Sequence, residues 1–247
     1  MKGAYFAKPL EWNVDITGES WRQGEAVSGT LILKNHSSDT ISLDNVAMIF
    51  AQGDIKKVHS RDPKAFKITD TLKLTTSELS GGQSHSQTFS FTLPINCAVT
   101  DKKTSFYLAY GVGGTETNLQ LKVEPRLIFT EVTKLMETFQ RFKYKDIKAV
   151  KEGVEFKFLP PSSRDWAHAE SLLLTLAMNG ENLEMDFLFN VKTIDTKSIT
   201  TALAKETRQF KKSLTPREYT FGKGMPNQDG IMKALDSILV EVKSKGY

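Results

Sequence analysis

Cysteine is nearly absent. The 247 residues contain one, Cys97, so no internal disulfide framework can form and a reducing compartment is expected. Long apolar runs are absent too: no stretch approaches the roughly 18 uninterrupted apolar residues of a transmembrane helix. The first residues, MKGAYFAKPLEWNVD, lack the apolar core of a secretory signal, so the cytoplasm is the expected location. Histidines are few (His36, His59, His85 and His168), and no two stand at a metal-ligand spacing. What is present is ordinary for a globular protein. With 39% apolar and 25% charged residues, the chain is too apolar for disorder and too polar for a membrane protein. Its length accommodates two β-sandwich-sized units.

The net charge of +4 is unevenly placed. From Thr196 to Tyr247 there are ten Lys/Arg and five Asp/Glu, whereas the preceding 195 residues carry 23 basic and 24 acidic side chains. A basic end segment can attract an acidic partner, a membrane surface or nucleic acid. No run of basic residues exceeds two, the pattern of a solvated surface. With no zinc-finger spacing and no RNP-like string, nucleic acid is not an expected partner.

Residues 12 to 123 alternate with a period of two, which places one set of side chains in a core and the other in solvent. The runs are Trp12-Val14-Ile16, Val27-Gly29-Leu31-Leu33, Ile41-Leu43, Val46-Met48-Phe50, Leu72-Leu74, Phe89-Phe91-Leu93, Phe106-Leu108-Tyr110-Val112 and Leu119-Leu121-Val123. The phase changes at Asp44–Asn45, where a bulge or a short turn is expected. Turn signals separate the runs at Arg22–Glu25, Asn35–Asp39, Gly81-Gly82 and Gly113-Gly114. About seven short strands without a convincing helix point to two packed antiparallel sheets. Gly53 to Lys67, rich in Lys, Arg and Asp, reads as an exposed loop.

After Glu124-Pro125 the period switches. Ile128, Val132, Leu135, Met136, Phe139 and Phe142 fall at steps of three and four, so Pro125 to Arg141 reads as an amphipathic helix with Pro125 in its first turn. Alternation returns at Val154-Phe156-Phe158, Leu172 to Met178 and Leu183 to Val191. Asn179-Gly180 with Glu181-Asn182 marks a hairpin between the last two runs. Thr196 to Lys212 reads as helical. A last helix, capped by Asn227 or Asp229, carries Ile231, Leu235, Ile238, Leu239 and Val242 on one apolar stripe. That stripe has two readings: packing onto its own domain, or contact with a second chain or a membrane surface.

Motifs that carry chemistry fail on inspection. His168-Ala169-Glu170 opens like a zinc-deaminase signature, but one cysteine cannot supply its Pro-Cys-x-x-Cys half. Gly82 to Ser86 resembles a nucleophile elbow until Ser86 replaces the final glycine, and it leads into a strand. Gly111-Val112-Gly113-Gly114 also leads into a strand, and no Gly-Lys-Ser/Thr occurs. Glu181, Glu184 and Asp186 crowd one stretch, with Glu184 and Asp186 on a solvent face, and Cys97 has no basic neighbour in the sequence to activate it. No catalytic, cofactor-binding or metal-binding residue is assigned.

Taken in order, these segments resemble the arrestin-like proteins. Gln23-Gly24-Glu25-Ala26-Val27-Ser28-Gly29-Thr30-Leu31-Ile32-Leu33 follows the "Gly-Glu-x-Val-x-Gly-x-Leu-x-Leu" run of that group. Leu43 to Met48, Phe89-Ser90-Phe91-Thr92-Leu93-Pro94 and Ser105 to Val112 then look like its next strands. Within the group, the bacterial sporulation-control family (the SpoOM type) is similar in Val123-Glu124-Pro125, Gln140-Arg141-Phe142-Lys143, Phe156-Lys157-Phe158-Leu159-Pro160, and Glu170 with the hairpin after it. Val191 to Ile194 replaces that family's basic turn, and the visual arrestins' phosphate-sensing residues have no counterparts here.

The resemblance implies a mainly β fold: two arrestin-like β-sandwich domains joined by an amphipathic helix, with a helical C-terminal tail. The expected division is a sandwich over 1–124, an inter-domain helix over 125–142, a second β-rich core over 143–195 and a basic, partly helical tail over 196–247. It also implies a non-enzymatic regulatory scaffold in sporulation, developmental or stress control, offering sandwich edges, loops or the inter-domain groove to protein partners. The alternative is a peripheral membrane-surface protein using the basic tail and terminal helix. Ile231, Leu235, Ile238, Leu239 and Val242 are the candidate partner-binding residues, with a homodimer through that helix as one outcome.

Overall fold

Alternating apolar and polar side chains become strands over most of the chain. The computed structural model describes residues 1–195 and 202–244 and divides into two units, Met1–Glu124 and Pro125–Tyr247. Among the described residues, no helix is long and apolar enough to cross a membrane.

In chain order the first unit contains β1 (Lys2–Ala7), β2 (Leu10–Ile16), β3 (Ser20–Arg22), β4 (Ala26–Asn35), β5 (Ile41–Ser42) and β6 (Val46–Asp54). These are followed by α1 (Ile55–His59), β7 (Phe66–Leu72), β8 (Glu78–Leu79), β9 (Ser84–Thr92), β10 (Thr104–Val112) and β11 (Thr117–Glu124). One sheet has the order β1-β2-β4-β9, and a second has β3-β11-β10-β6-β7. Trp12, Val14, Leu31, Leu33, Phe89 and Phe91 of the first sheet are buried, as are Met48, Phe50, Phe106, Leu108 and Leu121 of the second. Phe50 stacks on Phe91 with centroids 5.1 Å apart, joining a strand of each sheet through the core.

Asn35, fully buried, donates to the Asp39 and Leu79 carbonyls and accepts from Ser37, so the predicted turn is closed by a satisfied polar group. The phase change after Leu43 is a turn, closed by Val46 N–H to the Leu43 carbonyl at 2.9 Å.

The second unit opens with α2 (Leu127–Thr138) and continues with β12 (Lys143–Val150), β13 (Gly153–Leu159), β14 (Ala169–Asn179), β15 (Asn182–Asp195) and β16 (Ala202–Leu214). The strands form one antiparallel sheet in sequence order. Two helices follow, α3 (Pro216–Tyr219) and α4 (Gln228–Ser244). The face bearing Val154, Phe156, Phe158, Leu172, Leu174, Leu176, Phe187 and Phe189 is buried. So are the stripes of α2 and α4, which touch each other and lie against β12 and β16 respectively. Helices thus take the place that a second sheet has in the first unit. Asn227 is the residue that caps α4, accepting from Gly230 N–H at 3.1 Å. Gly230 is required there, because a Cβ would collide with the Glu218 carbonyl.

Several expectations change. The segment read as helical after Asp195 is a strand: β16 pairs with β15 from Leu183↔Leu214 to Asp195↔Ala202, and residues 196–201 lie outside the described residues. Its Ala, Leu, Lys, Glu, Arg and Gln favour a helix locally, but the open edge of β15 offers a full ladder of hydrogen bonds. The amphipathic helix is shorter than expected, with Pro125 before its first turn and Arg141 beyond its end at φ 60°. The supposed loop from Gly53 to Lys67 contains α1, with Val58 buried. The expected β14–β15 hairpin forms, with Gly180-Glu181 at its tip: Asn179 pairs with Asn182 and Gly180 holds φ 58°.

Candidate functional site

The five residues of the terminal stripe are core. Ile231, Leu235 and Val242 are 0% exposed, Leu239 2% and Ile238 6%. A contact with another chain or a bilayer through this face would first have to expose it. Each of these side chains contributes about 1.5–3 kcal/mol by its burial, so exposing the stripe is costly. Some cations of the basic segment are likewise engaged within the unit. Lys205 and Lys192 reach Glu170 at 3.1 and 3.4 Å, and Lys211 reaches Asp186 at 3.7 Å. The hydrogen bond from Lys205 and the lysine charges hold the Glu170 carboxyl below its usual range.

The rejected motifs acquire structural tasks. Burial pushes the Cys97 thiol up to about 12, which keeps it protonated and unreactive. His85 contacts Thr75 and Gln87. His168 stacks on Trp166, which stacks in turn on Phe189. Glu184 accepts from Ser213, and Asp186 accepts from Gln209. Gly113 and Gly114, at φ 73° and 81°, make the β10–β11 turn. Among the described residues, no group of three His, Cys, Asp or Glu could hold a metal ion.

The concave feature that sequence reasoning missed lies in the first unit. Asp54 accepts from Lys57 N–H at 3.1 Å and starts α1. The chain reverses at Arg61, whose φ of 55° is the left-handed conformation. Asp62 accepts from Lys64 N–H at 2.8 Å, and the strand resumes at Phe66. Val58, Ala65 and Phe66 pack on the Tyr107 ring, and Gly53 permits that approach, because a Cβ there would stand 2.8 Å from the ring. The other wall is the β10–β11 turn, Thr115 to Asn118, and Tyr5 of β1 completes a cleft of about 570 Å³.

The cleft's acids and cations differ in their commitments. Glu116 accepts from Val112 N–H and hydrogen-bonds the Tyr5 hydroxyl, and that bond, with burial and the Glu116 charge, raises the Tyr5 pKa. Asp62 is held by its own turn. Arg61 and His59 line the same cleft, and among the described residues neither has an ion-pair partner. A carboxylate-bearing side chain entering here would meet a guanidinium, an imidazole and two aromatic rings, Tyr5 and Phe66. The sequence held one usable signal for this region, Asp54 capping a short Ile55–Val58 apolar pair.

No family model and no curated relative matches the chain. Among solved structures, the chain is similar to Spo0M, a sporulation control protein from Bacillus subtilis. The TM-score is 0.64 at 16% sequence identity, covering 96% of this chain and 100% of that one. The likeness is one of fold and extends over nearly the whole length; the mainly β class expected from the sequence holds, while the second unit has one sheet covered by helices where a second β-sandwich was expected.

Proposed function

We propose that this chain is a non-enzymatic, cytoplasmic regulatory scaffold that recruits a protein partner through the first-unit cleft. The observation that carries this reading is the imbalance within the cleft: its carboxylates are engaged internally, while Arg61 and His59 face it without acidic partners among the described residues. Such a surface suits an acidic segment of another protein better than a reacting substrate. The whole-length likeness to a sporulation control protein supports a regulatory setting, in sporulation or a related developmental response.

The test is site-specific photo-crosslinking in the source cell. A photoreactive residue at Asp62 or Thr117 is expected to capture one and the same protein, whereas one at exposed Lys151 should not capture it. Adding Arg61→Glu should abolish the adduct without lowering the melting temperature. Capture that ignores Arg61→Glu, or no adduct at either position, overturns the reading.

A further inference from the structure

The membrane reading of the basic terminal segment loses its helix, because the α4 stripe is buried. Another element of the second unit has the required chemistry. Between α3 and α4 the chain forms a small hairpin, with Thr220 bridged to Pro226 and Phe221 N–H donating to the Met225 carbonyl at 2.7 Å. Its base is fixed on three sides. Thr215 and Glu218 form a capping box under α3, the Tyr219 hydroxyl donates to the Glu181 carbonyl at 2.8 Å, and Asn227 N–H donates to the Tyr219 carbonyl at 2.8 Å.

The tip itself touches little. Phe221 is 54% exposed and Met225 60%, and a Cβ built on Gly222 or Gly224 would find no atom within 4 Å. A rigidly based hairpin thus holds two large apolar side chains out in solvent.

The segment that carries the tip is basic. From Lys212 to Lys233 the sequence has four Lys/Arg and two acids, Glu218 and Asp229. Arg217 and Lys233 are exposed, and the Glu218 carboxylate is occupied by Thr215 N–H and hydroxyl. We infer that the Thr220–Pro226 tip docks on an anionic bilayer, inserting Phe221 and Met225 among the acyl-chain ends while the flanking cations meet the headgroups. A stable protein interface needs roughly 800 Å² from each partner, more than a two-residue tip offers. A lipid interface needs only a small apolar wedge and neighbouring positive charge.

The test is co-sedimentation of the full-length chain with vesicles of phosphatidylcholine containing phosphatidylglycerol, against phosphatidylcholine alone. Binding is expected to the anionic vesicles only and to weaken as salt rises. Phe221→Ser with Met225→Ser should lower the partition coefficient about tenfold or more, and Arg217→Ser should lower it less. Both variants lie on exposed positions, so an unchanged melting temperature shows that the fold is intact. Absence of binding, equal binding to neutral vesicles, or undiminished binding by the double variant overturns the inference.

Discussion

The two units solve the same burial problem with different partners. In the first, each sheet covers the other, and α1, anchored by Val58 on the Tyr107 ring, shapes a polar cleft together with the β10–β11 turn. In the second, the apolar face belongs to a single sheet, and α2 and α4 give their apolar stripes to covering it. An amphipathic stripe is therefore not by itself a docking surface. Whether it is free depends on whether the adjacent sheet already has a cover.

The largest expected effect breaks the second unit. Leu235→Glu places a charge in a fully buried position, and a loss of about 3–5 kcal/mol in denaturant unfolding is expected. A soluble, smaller species of undiminished stability would instead identify the stripe as a dimer seam.

A smaller effect is expected in the first unit. Gly53→Ala forces a Cβ against the Tyr107 ring, and a loss of about 1–3 kcal/mol should appear in the melting curve. If stability is unchanged, α1 and the cleft wall can shift at no cost, and the cleft is not a fixed shape.

The smallest effect is a pH slope. Burial and the Arg208 charge lower the His168 pKa, so the folded state favours the neutral ring. Stability should be full above the ordinary histidine value of about 6.5, fall as the pH drops from there toward the folded-state pKa, and level off below it. His168→Gln should flatten that part of the profile. An identical slope in the variant would assign it to other groups.

Large alternating side chains were readable in the strongest strands, though the Leu72-Leu74 run was not one of them, since β7 ends at Leu72. Trp12-Val14-Ile16, Phe89-Phe91 and Leu172 to Val191 all became core strands. β1 was not readable, because it places Gly3, Tyr5 and Ala7 opposite β2, and this sequence carries little apolar contrast. β16 was not readable because its period is mostly charged and its helix propensity is high, so only its pairing with β15 reveals it. Nor was the cleft, since Tyr5, Arg61 and Glu116 come from three separate segments.

Local sequence was enough for the β-rich class, the positions of the strongest strands and the terminal helix. Each follows from local periodicity or from residue type. Which surfaces stay exposed follows from the packing of distant segments. It buried the α4 stripe, turned a helix-prone segment into an edge strand, and left Arg61 facing a cleft and Phe221 on a tip. Exposure is a property of packing between distant segments, and no local pattern records what will come to cover a given side chain.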